Sequence, residues 1–519
     1  MPGFLRKARI LPLLIGLMGL AMLAPAAMGF AGGEAATGRA FLYPAILIIV
    51  LALFTILATS IPVGRRAGAE WLDHPPILLL LVYVFLPMLM AVPLVEAVPG
   101  LRFGMAWFEM VSSFTTTGAT VFDAPRQIPD AVHLWRGLAG WMGGAFVLSA
   151  LVVLAGEMSG GGLAPGQDPR GTDPQGRGKG ISLRGKLRHA RTDEDSADAR
   201  APVLRAASAV LPVYALITAL AWMGLVIAGN SAFLALMQAM AALSTSGIVP
   251  GRGPGPAGFG AELILLLALL PALSRRSLPR APTEARAVPV FRDPELRLAA
   301  ALVLAVAGLL LARHWMGAQQ VAEGDNLPAA GRALWGGVFT AVSFLTTTGF
   351  ISQDWIAARA WSGLTSPGLI LLGLAMVGGG IATTAGGLKL LRLYALLLQG
   401  RRELERMVHP SSVAGGGARL RMLRGPGALA AWLFLMMFML GTIWLVAALT
   451  FMGVPLEQAI VLAVSAITTA GPLAQVAAAT PLSWADLSDA ARAVLAAGMV
   501  LGRLELLLVL SLLLGRERR

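Results

Sequence analysis

Four short runs of hydroxyl-bearing residues, each closing on a glycine, carry the chemistry this chain can do. They are Thr116-Thr117-Gly118, Thr245-Ser246-Gly247, Thr347-Thr348-Gly349 and Thr469-Ala470-Gly471. The glycines stand 129, 102 and 122 residues apart, and every run lies between apolar stretches. Such self-similarity marks an internal repeat. Where glycine permits unusual backbone angles, successive carbonyl oxygens turn to one side. Four such segments around one axis make a ring of oxygens that replaces a cation's water shell. Four glycine-terminated turns that merely cap short helices would use the same residues. The hydroxyl residues clustered before each glycine favour the ring.

Other chemistries find little support. The chain has no cysteine, so disulfides, thiolate ligands and thiol nucleophiles are excluded. Its five histidines, His74, His133, His189, His314 and His409, lack ligand spacing. A polytopic membrane enzyme remains a remote alternative; it needs paired acids, a histidine cluster or a nucleophile with its base, and none stands within the apolar stretches.

Two further features interrupt apolar segments. Residues 378–387 place Gly378, Gly379, Gly380, Gly386 and Gly387 around Thr383 and Thr384, just before Lys389. Five glycines in one helix cost about 1 kcal/mol each against alanine. The segment therefore reads as a break, either a flexible plug beneath the ring or a glycine-rich helix contact. Arg503 stands in an otherwise apolar stretch. An arginine at that depth needs water or a partner, so it reads as lining the permeation path, with a packing role as the alternative. Glu505, two residues on, faces another side of the helix.

The elements that hold these residues must be membrane spans. With 56% hydrophobic residues, 13% charged residues and a mean hydropathy of +0.73, the 519-residue chain carries more apolar surface than a soluble core buries. The net charge of +13 follows from orientation and implies no nucleic acid: with a cytoplasmic N-terminus, 31 of the 41 Lys and Arg fall on the cytoplasmic side. Both termini are then cytoplasmic.

Residues 1–76 hold two leading spans, at 10–31 and 41–61; a signal peptide cleaved near Ala27 or Ala31 is the alternative for the first. Four units of span, pore segment and span follow. The first covers 77–158, with a pore segment at 106–114 that reaches only ~14 Å as a helix and must be re-entrant. Its dipole turns a negative end toward the ring, which favours a cation. Gly140, Gly143 and Gly144 in its returning span allow close packing. The second covers 202–276, with a pore segment at 231–243. The third covers 296–400, with an acidic outer loop at Glu323 and Asp325, a pore segment at 332–345 and the break. The fourth covers 426–519, with a pore segment at 455–467. Cytoplasmic loops at 159–201, 277–295 and 401–425 separate the units. The fold class is an all-α polytopic membrane protein with ten crossings and four pseudo-symmetric repeats around one pore. Lys and Arg in 179–191 and 401–424 offer a basic face to a soluble regulator.

The four glycine runs, the break followed by Leu388-Lys389-Leu390-Leu391-Arg392, the stretch Arg402-Glu403-Leu404-Glu405-Arg406-Met407-Val408-His409-Pro410, and Leu501-Gly502-Arg503-Leu504-Glu505 together resemble the Trk/Ktr/HKT superfamily of potassium transporters. Within it the chain is similar to TrkH-type membrane subunits, over essentially residues 40–514. The resemblance implies potassium uptake across a bacterial inner membrane, by a homodimer whose protomers each hold a pore. It also implies a cytosolic nucleotide-binding partner of the TrkA type. Potassium is the transported ion, no organic cofactor is implied, and lipid is the surrounding partner. The filter would be Thr116-Thr117-Gly118 and its three counterparts. The gate would comprise 378–387 with Lys389, and Arg503 would be the pore arginine. Departures include Ser246 where glycine or alanine is common, Ile248 where phenylalanine is frequent, and Ala382-Thr383-Thr384-Ala385 in the break. A sodium-coupled or sodium-permeable relative is the nearest alternative.

Overall fold

The computed structural model describes residues 10–60, 75–123, 128–159, 200–251, 258–274, 293–318, 326–355, 368–409, 426–478 and 480–504. The basic clusters at Arg6, Lys7, Arg9, Arg65 and Arg66, most of the three cytoplasmic loops, the acidic loop at Glu323 and Asp325, and everything from Glu505 onward lie outside the described residues. All regular structure among the described residues is helical.

Helices α1 (Ile10–Ala21) and α2 (Leu23–Ala31) run on as one apolar span, and α3 (Ala35–Ser60) returns beside them. Four units follow. The first is α4 (Pro75–Ala97), α5 (Phe103–Phe114) and α6 (Asp130–Ser159); the second is α7 (Arg200–Ile227), α8 (Ala232–Ser244) and α9 (Gly258–Leu273). The third is α10 (Pro294–Ala318), α11 (Asn326–Leu345), α12 (Gly368–Val377) and α13 (Leu390–Val408). The fourth is α14 (Pro426–Phe451), α15 (Leu456–Ile467) and α16 (Asp489–Arg503).

Six apolar helical stretches among the described residues are long enough to cross a membrane: the two leading ones and the first helix of every unit. These outer helices expose belts of large apolar side chains, such as Leu216, Leu220 and Met223 on α7 and Leu440, Ile443 and Trp444 on α14. Water does not favour such a surface; lipid does. Local signals start the inner helices. Ser231 caps α8 through the Leu234 amide at 3.4 Å, and Ser488 caps α16 through Ala491 at 3.2 Å. Glu457 in the first turn of α15 complements the helix dipole. The inner helix of unit one is three residues longer than the sequence expectation, and that of unit three begins at Asn326 rather than 332. Both extensions lie at the N-terminal end, where helix boundaries are least defined by sequence.

In each unit the middle helix packs between its two companions: α5 between α4 and α6, α8 between α7 and α9, α11 between α10 and α12, and α15 between α14 and α16. The last helix before each unit's end or break also packs on the middle helix of the next unit, α6 on α8, α9 on α11, α12 on α15 and α16 on α5. The final pairing returns to the first unit, so the four units close a ring in chain order. The leading helices stay outside it, joined to unit one through contacts such as Phe41 against Trp135 at 6.2 Å.

Candidate functional site

Every middle helix ends in the same way. Thr116, Thr245, Thr347 and Thr469 take left-handed φ of 56°, 55°, 59° and 53°. The following amides, of Thr117, Ser246, Thr348 and Ala470, reach back to the carbonyls of Ser112, Ala241, Ser343 and Ser465 at 2.8, 3.0, 2.9 and 2.9 Å. This is a Schellman-type end, which ordinarily places glycine or asparagine in the left-handed position. A β-branched residue there is costly, and strain of that kind collects at functional sites. Glycine therefore does not supply the unusual angles alone. Gly118, Gly247 and Gly349 do take φ of 73°, 64° and 82°, but Gly471 does not and instead opens a 3-10 turn, Gly471–Gln475. The element common to all four is the threonine.

Proximity explains the glycines. A Cβ on Gly118 would run into the Ser246 carbonyl, one on Gly247 into the Thr348 carbonyl, one on Gly349 into the Pro472 ring, and one on Gly471 into the Ala119 amide nitrogen. Each segment thus abuts the next, and the fourth abuts the first. The Gly471 amide closes the circle by donating to the Thr117 carbonyl at 2.6 Å. All twelve residues expected in the ring are brought together. Their hydroxyl-bearing members are at most 1% exposed. The hydroxyls of Thr116 and Thr469 are buried without a protein partner. The ring contains no acidic side chain, and among the described residues no cluster of His, Cys, Asp or Glu could hold a metal. Its oxygens are neutral hydroxyls and carbonyls, a donor set suited to a weakly held monovalent cation that must also leave.

Beneath the ring lies the break. Helix α12 stops at Val377, Gly378 turns left-handed at φ 72°, and α13 begins after Lys389 at φ 82°. The segment between is tied to three units. The Gly380 amide donates to the Ala272 carbonyl at 2.9 Å, and the Thr383 hydroxyl reaches the same carbonyl at 3.1 Å. The Thr384 hydroxyl donates to Leu243 at 3.1 Å, the Thr245 hydroxyl to the Thr384 carbonyl at 2.9 Å, and the Gly386 amide to the Thr347 hydroxyl at 2.8 Å. Gly379 packs on Ala272, Gly386 on the Thr468 carbonyl, and Gly387 on Gly378. The glycines here permit backbone to lie against backbone, which a flexible tether would not require. Lys389 donates to the Ala385 carbonyl.

Arg503, 8% exposed, completes the floor. Its Nε donates to the Thr115 carbonyl at 2.5 Å and its Nη1 to the Thr384 carbonyl. It makes no ion pair among the described residues. A small cavity between Arg503, Lys389, Thr383 and Phe434 lies beside it. Gly143 and Gly502, in equivalent places of units one and four, let α6 and α16 press against the ends of α5 and α15 at Phe114 and Ile467. Gly140 and Gly144 lie against Ser246 and Ser244 of unit two, as the close packing expected of this span requires.

Sequence reasoning passed over the outer supports. Glu109 on α5, fully buried, pairs with Arg136 at 2.6 Å and accepts the Val121 amide at 2.8 Å. Glu262 on α9 is likewise buried. A lone acid inside an otherwise apolar stretch was the available signal for both.

Residues 300–515 match the family model TrkH, described as a cation transport protein. The Trk system potassium uptake protein TrkI of Halomonas elongata is 27% identical over 480 residues, 90% of this chain and 88% of its own length. The Trk system potassium uptake protein TrkH of Salmonella typhimurium is 27% identical over 512 residues, 97% of each chain. The crystal structure of the potassium transporter TrkH from Vibrio parahaemolyticus superposes with a TM-score of 0.76 over 98% of both chains at 22% identity, a likeness of fold. These proteins are transporters and not enzymes. Over residues 300–515 by family model, and over most of its length by sequence and by helical fold, the chain is similar to the TrkH-type Trk potassium uptake proteins.

Proposed function

We propose that this protein takes up potassium ions across a bacterial inner membrane, with both termini in the cytoplasm, and that the ring of four threonine–glycine segments is its selectivity filter. The observation that carries the reading is the closed circle of neutral oxygens, in which two buried hydroxyls, those of Thr116 and Thr469, have no protein partner. The amides of Thr117, Ser246, Thr348 and Ala470 are used on their own helix ends and that of Gly471 on the Thr117 carbonyl, so the other carbonyls and the hydroxyls are the groups left to replace a hydration shell. Potassium is cargo here, not a resident cofactor.

The floor of break and arginine acts as the gate. It couples the base of the ring to α13, whose exposed side carries Arg401, Arg406, Leu404 and Met407. That mixed basic and apolar surface suits a cytosolic nucleotide-binding partner of the TrkA type, and two copies of the chain form the working unit. The test is growth of a potassium-uptake-deficient bacterial strain at low external potassium. The chain restores growth, most strongly with its partner co-expressed. No rescue under either condition, with the protein present in the membrane, contradicts the reading.

A further inference from the structure

Two buried carboxylates hold the outer side of the ring, and they serve their units differently. Glu109 belongs to the unit that it supports. It takes the Val121 amide, three residues past Gly118, and Arg136 neutralises it. Glu262 stands on α9 of the second unit, yet among the described residues its hydrogen bonds go to the third. It accepts from the Trp335 indole at 2.5 Å, from the Gln353 amide at 2.8 Å, and from the Ser352 hydroxyl at 2.8 and 2.9 Å to its two oxygens. It is 1% exposed, and no Lys or Arg pairs with it among the described residues.

The repeat explains why the third unit needs an acid from its neighbour. Glu109 and Thr340 occupy the same position, seven residues before the left-handed threonine of their units. Each receives the amide three residues past the glycine, Val121 at 2.8 Å and Ser352 at 3.3 Å. Threonine offers one short acceptor where glutamate offers two oxygens, so the third exit turn is less firmly held from within. Glu262 supplies the missing acceptors from across the unit boundary, at the junction where Gly247 meets the Thr348 carbonyl. The indole and the amide can only donate, so this cage fits an anion. An amide side chain would turn its own NH2 against one of them.

We propose that Glu262 is a positioning residue for the third ring segment: a buried anion of one unit that fixes the exit turn at Ser352–Gln353 of the next, and through it the ring's preference among alkali cations. The proposal rests on the reading of the ring as a cation filter. It assigns to an interunit contact a part of the selectivity that the ring residues alone would otherwise carry.

The test uses the full-length protein in liposomes and the ratio of potassium to sodium permeability. Glu262→Gln, Ser352→Ala and Trp335→Phe each lower that ratio about threefold to tenfold, the range expected for one lost hydrogen bond. Yield and melting temperature stay near those of the unsubstituted protein. Glu262→Gln combined with Ser352→Ala is less than additive, because both loosen one turn. If Glu262→Gln fails to fold, Ser352→Ala, which deletes a single hydroxyl, carries the test. Unchanged ratios in the folded variants, alongside normal potassium flux, overturn this proposal alone. So does a shift confined to Glu262→Gln, which points to charge acting through space. No potassium flux in the unsubstituted protein overturns the filter reading and this proposal with it.

Discussion

Arg503 donates through Nε to the carbonyl of Thr115 at 2.5 Å, although 388 positions separate the two residues. Its other arm holds the Thr384 carbonyl, so one guanidinium joins the base of the first ring segment to the middle of the break. Replacing it with alanine frees both carbonyls and removes a positive charge that repels an entering cation. Arg503→Ala is expected to raise basal potassium flux several-fold in proteoliposomes. Arg503→Lys, which keeps the charge but loses the fork, falls between. Flux equal to that of the unsubstituted protein in both variants would leave the arginine with a packing role only.

The threonines separate stability from function. Thr116 is strained in the left-handed region and its hydroxyl has no partner, so the side chain serves neither the backbone nor the hydrogen-bond network. Thr116→Gly relieves about 1 kcal/mol of strain, partly offset by glycine's entropy. The melting temperature is expected to hold or rise while potassium preference falls. A variant that loses both together would show that the threonine is structural.

The break obeys the opposite logic. A methyl group on Gly386 has no room beside the Thr468 carbonyl, so Gly386→Ala dislodges the segment from the floor of the ring. Basal flux rises, as it does when two or three glycines are deleted from 378–387. Combined with Arg503→Ala, the gain is less than additive because one barrier is lifted twice. Strict additivity in the logarithm of flux would separate the two elements.

The ring was legible in the sequence because it repeats. Hydroxyl residues before glycine at four places, each between apolar stretches, predicted both the segments and their convergence. The conformational detail was not legible. Glycine's reputation for left-handed angles pointed to Gly118 and its counterparts, which holds for Gly118, Gly247 and Gly349 but not Gly471, whereas the helix ends place such an angle on threonine as well, a choice no propensity favours. The break was visible from its five glycines, but their task, packing against the Ala272 and Thr468 carbonyls, depends on neighbours far along the chain. Glu109 and Glu262 were overlooked for the same reason: an acid's meaning inside an apolar helix lies in partners such as Arg136 and Ser352, which only the fold supplies.

The partner surface gives a prediction of another kind. Arg401 is exposed and, among the described residues, pairs with Glu405, four residues along the same helix, at 3.0 Å. Such pairs contribute about 0.3–0.5 kcal/mol, so reversing Arg401 to glutamate should barely alter the fold. It is expected to weaken co-purification of the cytosolic regulator and make it more sensitive to salt. Full retention of the regulator at all salt concentrations would place its contact elsewhere.

The central claim is that the four-segment ring selects the ion, and cation flux through the purified protein in liposomes, with potassium and sodium compared in one preparation, tests it most directly. The unsubstituted protein is expected to pass potassium in preference to sodium. The variant with Thr116→Val and Thr469→Val, which keeps the β-branched shape and deletes the two unpartnered hydroxyls, is expected to lose most of that preference while still conducting. An absence of potassium flux, or the same preference in both proteins, would contradict the account.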